Sequence, residues 1–185
     1  LAPTNGFDKH KAHDAMGDVE ALIFLLEKIR RGNALLYDQL LANSDKNNVK
    51  SLLTSFKAIE VTLRFGAAMP QTYVGCFCGN ENKNTNRIGF FDLNQSDAFA
   101  LINGTKQDIE KAIASSPKRI RSLAINKADT FLECQQSDAL HNSICNAIQK
   151  NPEFRSKVAQ VLADRYSVSQ DDERVVEEKI YEKYD

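Results

Sequence analysis

The chain contains no run of eighteen apolar residues, so nothing in it reads as a helix able to span a bilayer. Nor does a charged, apolar and small-residue series open it. Secretion therefore has no support, and a cytoplasmic protein is the expectation. A Gly-rich phosphate loop and a Gly-x-Ser-x-Gly elbow are both missing, which argues against triphosphatase and serine-hydrolase chemistry. Internal repeats and low-complexity tracts do not occur. Excess charge of one sign is also lacking: 24 Lys and Arg against 25 Asp and Glu leave a formal net charge of −1. A surface made uniformly for polyanions is excluded, and any such contact must be local. The best candidate stretch runs from Lys111 to Lys127 and carries Lys118, Arg119 and Arg121 with no intervening acid. An ordinary solvated face accounts for that run equally well.

Cysteine is scarce: Cys76, Cys78, Cys134 and Cys145 are four in 185 residues. A disulfide framework does not fit that density in a reducing compartment. Zinc sites favour pairs two to four residues apart, whereas one pair here is Cys-x-Cys and the other has ten residues between. Cys76 and Cys78 lie two apart in a strand-like run and so share one face. Buried structural thiols are the better reading.

What is present is the balanced composition of a soluble globular protein of one or two domains. Val19, Leu22, Ile23, Leu26 and Ile29 recur at three and four residues, which predicts an amphipathic helix from Asp14 to about Arg31, ended by Gly32. Helices are also expected over Ala34–Leu41 and, after Asp45 as cap, Asn47–Phe56. The period then changes. Ile59, Val61 and Leu63 alternate with Glu60, Thr62 and Arg64, the signature of a half-buried strand. Further strands are expected over Tyr73–Cys78, Arg87–Leu93 and Ser122–Ile125, with a helix from Thr105 to about Ser115 among them. Ser137–Lys150, Pro152–Asp164 and Asp171–Tyr184 read as three closing helices, the last two joined by a polar link over Ser167–Asp172. Few short strands with a helix lodged among them suggest a small curled sheet or barrel rather than a doubly wound fold.

His13 and Asp18 carry the clearest chemistry. Histidine is the side chain whose unperturbed pKa lies nearest neutrality, which suits a general base. Carboxylates suit the divalent ions that activate water and neutralise a scissile phosphate. The plainer alternative is that Asp14 caps the helix and Asp18 complements its dipole. Their surroundings, Leu1-Ala2-Pro3-Thr4-Asn5-Gly6, Ala12-His13-Asp14-Ala15-Met16 and Asp18-Val19, resemble the bacterial exodeoxyribonuclease I family of DEDDh 3'-5' exonucleases. Phe65-Gly66-Ala67, Asn86, Asp92-Leu93, Ile125-Asn126-Lys127 and Asn151-Pro152 followed by Arg155-Ser156-Lys157-Val158 continue the resemblance along nearly the whole chain.

That resemblance implies a single-stranded-DNA exonuclease that releases 5'-mononucleotides by two-metal hydrolysis in DNA repair and recombination, with two Mg2+ (or Mn2+) ions in the complete site. It assigns His13 as general base, Asp18 as metal ligand, and Lys46, Asn86 and Arg121 as DNA contacts, Arg121 replacing a lysine. Tyr73 lies within one residue of a family tryptophan and is a candidate stacking platform, a core-packed strand tyrosine being the alternative. The family's Asp-x-Glu strand and second Asp helix are not in this sequence, so the expectation is a fragment, inactive alone, of a monomeric protein. Its expected α+β organisation is the tail of a ribonuclease H-like domain (1–32), connecting helices (33–55), an SH3-like middle domain with helical extension (56–165) and the start of a C-terminal helical domain (166–185). The C-terminal tail of single-strand DNA-binding protein is a further expected partner, although Gln39, Glu133 and Gln149 stand where its basic and polar pocket should form. Two other readings stay open: a noncatalytic DNA- or protein-binding module, and a DEDDh exoribonuclease.

Overall fold

The computed structural model describes residues 2–7, 14–64, 69–80, 86–125 and 130–172, with side chains described as far as residue 165. His13, Phe65-Gly66-Ala67 and the helix expected over Asp171–Tyr184 fall wholly or largely outside them. The chain divides into two compact units, residues 1–48 and 49–185.

The first unit opens with a 3-10 turn at Pro3–Asn5. It continues as α1 (Ala15–Gly32) and α2 (Ala34–Ser44). Asn33 serves both helices: its N–H donates to the Ile29 carbonyl, and its side chain accepts from the Leu36 N–H at 3.0 Å. One residue therefore ends α1 and starts α2, which fixes a sharp turn between them. Phe7 packs on Phe24 of α1 with ring centroids 5.2 Å apart. Lys28 ties the opening turn down by donating to the Asn5 carbonyl at 2.7 Å. Within α1 only the small residues Gly17 and Ala21 are buried. Met16, Val19, Leu22 and Ile23 are each more than half exposed, so the apolar stripe legible in the sequence is left largely uncovered.

α3 (Lys46–Thr54) leads into the second unit. Asp45 accepts from the Asn47 N–H at 2.8 Å, the cap its position suggested. Five strands follow: β1 (Ile59–Leu63), β2 (Gln71–Asn80), β3 (Arg87–Asp92), β4 (Ile120–Ala124) and β5 (Thr130–Glu133). They form one antiparallel sheet in the order β4-β3-β2-β1-β5. α4 (Ala98–Ile102) and α5 (Lys106–Ala114) lie between β3 and β4, and α6 (Ala139–Lys150) and α7 (Pro152–Asp172) follow β5.

The alternation predicted for β1 is present: Ile59, Val61 and Leu63 are buried while Thr62 is exposed. The sheet's two faces bury separate cores. On one, Cys76, Cys78, Phe91 and Ile120 pack against residues of α4 to α7, including Ile109, Ile144, Phe154 and Val158. On the other, Ile59, Val61, Phe77, Phe90, Leu123 and Phe131 meet Val49 and Leu53 of α3. α7 crosses the first face closely because two strand residues have no side chain. A Cβ on Gly79, which sits at φ +137°, would stand 2.6 Å from the Arg155 carbonyl oxygen, and one on Gly89 would stand 2.8 Å from Val158. The ladder shifts register between Phe77 and Gly79, and such a bulge bends the strand.

The α+β class holds, but the sheet is open rather than closed into a barrel. Helices cover one whole face, so that face is buried without the edges curling together. The polar stretch 167–172, expected as a link, continues α7. No proline or glycine interrupts the chain from Glu153 onward through that stretch.

Candidate nucleic-acid interface

The sequence-predicted contacts are spread over both units. Asp18 lies exposed in the first turn of α1, with its N–H bonded to the Asp14 carbonyl at 2.9 Å. Asp14 occupies the N-cap position, and its side chain makes no cap hydrogen bond. Lys46 is exposed at the start of α3, and the first unit ends two residues later. Among the described residues no three His, Cys, Asp or Glu side chains come together as metal donors. Asp18 thus offers one carboxylate where a two-ion site needs several, and the described residues do not by themselves fit that site.

Tyr73 and Arg121, far apart in sequence, come together in the second unit. Tyr73 projects from β2, half-buried, and its hydroxyl donates to Gln71 at 2.6 Å. Arg121 of β4 reaches across β3 so that its guanidinium carbon lies 3.8 Å from the Tyr73 ring centroid. The two strands are not neighbours. What lets the arginine cross is Asp92 on β3, whose Oδ2 accepts from Arg121 Nη1 at 2.8 Å. The Asp92 carboxylate is itself fixed, its Oδ1 accepting from the Asn94 N–H at 3.0 Å. Cation–π contact of this closeness is favourable, and more so out of water. Arg121 is only 6% exposed.

Two of the four described cations in the run between Lys111 and Lys127 are therefore neutralised. Arg119 donates to Gln95 at 2.8 Å and pairs with Asp97 at 2.6 Å, while Arg121 is taken by Asp92. Lys111 and Lys118 remain exposed. Sequence spacing could not show this, because the neutralising acids sit more than twenty residues upstream. Asn86 lies beside β4, its carbonyl accepting from the Ile125 N–H at 2.8 Å. Ile125 also lines a shallow opening with Lys50, Leu53, Thr54, Phe77, Asn80 and Ile88. Lys50, Thr54 and Asn80 bring polar groups to an otherwise apolar lining. Sequence reasoning did not find this opening, since its walls come from one helix, two strands and the residue after β4.

Of the residues standing where the tail-binding pocket was expected, Glu133 is paired with Lys57 at 2.7 Å. The Gln149 carbonyl accepts from Arg155. No described helix is long and apolar enough to cross a membrane.

No protein-family model matches this chain, and no curated protein does. Solved structures do. Exonuclease I from Methylocaldum szegediense superposes with a TM-score of 0.63 at 18% identity, over 87% of this chain and 39% of that one. E. coli exonuclease I in complex with a dA16 oligonucleotide gives 0.60 at 20% identity, over 88% and 39%. A structure described as SSB/exonuclease I in complex with the inhibitor CFAM gives 0.59 at 19% identity, over 84% and 37%. The chain thus spans about two-fifths of the length of the proteins it matches. Over nearly all of its own length, its fold is similar to that of the corresponding part of exonuclease I.

Proposed function

We propose that this chain belongs to a single-stranded-DNA 3'-5' exonuclease, and that it supplies the last helix of the nuclease domain together with the open-sheet domain that guides the strand. The observation that carries this reading is the fold shared with exonuclease I structures, one of them holding an oligonucleotide. His13 and Asp18 would be its contribution to the metal-dependent site, as base and ligand. The remaining carboxylates would come from elsewhere in the whole protein. Lys46 of the first unit, and Asn86 and Tyr73 of the second, would each contact the strand from their own unit. The lysine would do so through charge and the tyrosine, with Arg121 against its ring, through an aromatic group, the two components of sequence-independent single-strand binding.

Fluorescence anisotropy with a labelled sixteen-nucleotide strand tests the reading. The chain should bind single-stranded DNA more tightly than a duplex of the same length, with affinity falling as salt rises. Lys46→Ala should lower the slope of log Kd against log salt by about 0.7, the loss of one phosphate contact. A chain that binds neither form even at low salt overturns the proposal. With Mg2+ added, the bound strand should stay intact, whereas a longer protein carrying the missing carboxylates should shorten it from the 3' end.

A further inference from the structure

Arg121 is the one buried charged side chain among the described residues, and its groups are already engaged. Nη1 is bonded to Asp92 at 2.8 Å, and the guanidinium lies against the Tyr73 ring at 3.8 Å. A phosphate approaching this arginine would meet the Asp92 carboxylate at the same place, and the pair presents no net charge to attract it. Tyr73, by contrast, is only half-buried. The ring, which also packs against the second core, keeps the part of its surface that neither the guanidinium nor the core covers. Its hydroxyl is also held, by Gln71. An aromatic ring held in place with part of its surface exposed is one against which an unpaired base can stack, and prior fixing reduces the rotamer entropy lost on binding.

We propose that Arg121 is a positioning residue: anchored by Asp92, it holds the Tyr73 ring so that the exposed part of the ring receives an unpaired base, and it does not contact the phosphate chain. This rests on the strand-binding reading above. It also makes Arg121 a residue that lysine does not replace. Lysine keeps the charge near Asp92 but loses the planar group that stacks on the ring while donating to a carboxylate.

The test is anisotropy of a labelled dT16 strand with the 185-residue chain and its variants at several salt concentrations. Tyr73→Ala should weaken binding about tenfold, the loss of one stacked base. Arg121→Lys and Arg121→Gln should weaken it by a similar factor with the salt slope unchanged. Combined with Tyr73→Ala, either arginine substitution should cost little more. Should Arg121→Gln fail to fold, Arg121→Lys carries the comparison alone. The positioning role is overturned if Arg121→Lys binds as tightly as the parent, if Arg121→Gln lowers the salt slope by about 0.7 as a lost phosphate contact would, or if the tyrosine and arginine effects simply add. A parent chain that binds no strand at all overturns the strand-binding reading, and the positioning role falls with it.

Discussion

Burial decides the chemistry of individual side chains here more than their identity does. Cys76 and Cys78 are both completely buried between sheet and helices. The Cys76 thiol is pushed up by its contact with Cys145 and by burial, and Cys78 is pushed up by burial alone. Neither has thiolate available to react. At pH 8.5, Ellman's reagent should leave Cys76 and Cys78 untouched in the folded protein and modify them on unfolding in urea; rapid labelling of either in the native state, located by mass spectrometry, would contradict this. Their shared face was readable from a spacing of two. The fate of Arg119 and Arg121 was not, because a cation's availability depends on Asp97 and Asp92, which only the folded sheet brings near.

At the scale of single elements, α5 is the best specified. Thr105 accepts from the Asp108 N–H, and the Asp108 carboxylate accepts in return from the Thr105 N–H at 2.9 Å and hydroxyl at 2.7 Å. Those bonds hold the Asp108 carboxyl below its ordinary value. A carboxyl lowered by folding adds stability above its unfolded pKa, and that stability is lost as pH falls through the folded value. Thr105→Ala, which removes the N-cap hydroxyl, should cost about 1 kcal/mol in urea unfolding at pH 7. The difference from the parent should narrow as pH drops below about 4, where Asp108 begins to protonate in the unfolded chain. A gap that stays constant with pH would separate the threonine's role from the aspartate's.

Strong local patterns of this kind were legible in the sequence: α1, α3, β1 and α6 lie within a few residues of their expected bounds. The elements that escaped are those too short to show a period. β5 has four residues, of which only Phe131 is buried, and α4 is barely more than one turn. Both owe their existence to neighbours. β5 is held by its ladder to β1, and α4 by packing Leu101 and Ile102 into the helical core. The candidate site divides in the same way. Tyr73, Asn86, Lys46 and Arg121 were each picked out singly, but that Arg121 and Tyr73 meet across an intervening strand is a fact of sheet order that no spacing encodes.

For the molecule as a whole, both hydrophobic cores of the second unit are built from Val49 onward. A chain beginning at Asp45, which keeps the cap of α3, should fold alone and unfold in urea as a single transition. Loss of the helical and strand circular dichroism signal in that shortened chain would show that the first unit is required. The first unit has little interior of its own, since α1 buries only Gly17 and Ala21 and leaves most of its apolar stripe in water.

The sheet order also governs how the protein is made. β1 lies between β2, its near neighbour in sequence, and β5, which comes roughly seventy residues later. At ~5–20 residues per second, a ribosome needs several seconds to deliver β5 after β1 has emerged. During that interval β1 has one ladder formed and one row of peptide groups open, the kind of edge to which a second nascent chain adds. Translation speed between Leu63 and Thr130 thus becomes a determinant of yield, and slow codons placed in that interval should raise the insoluble fraction even though the finished protein is identical.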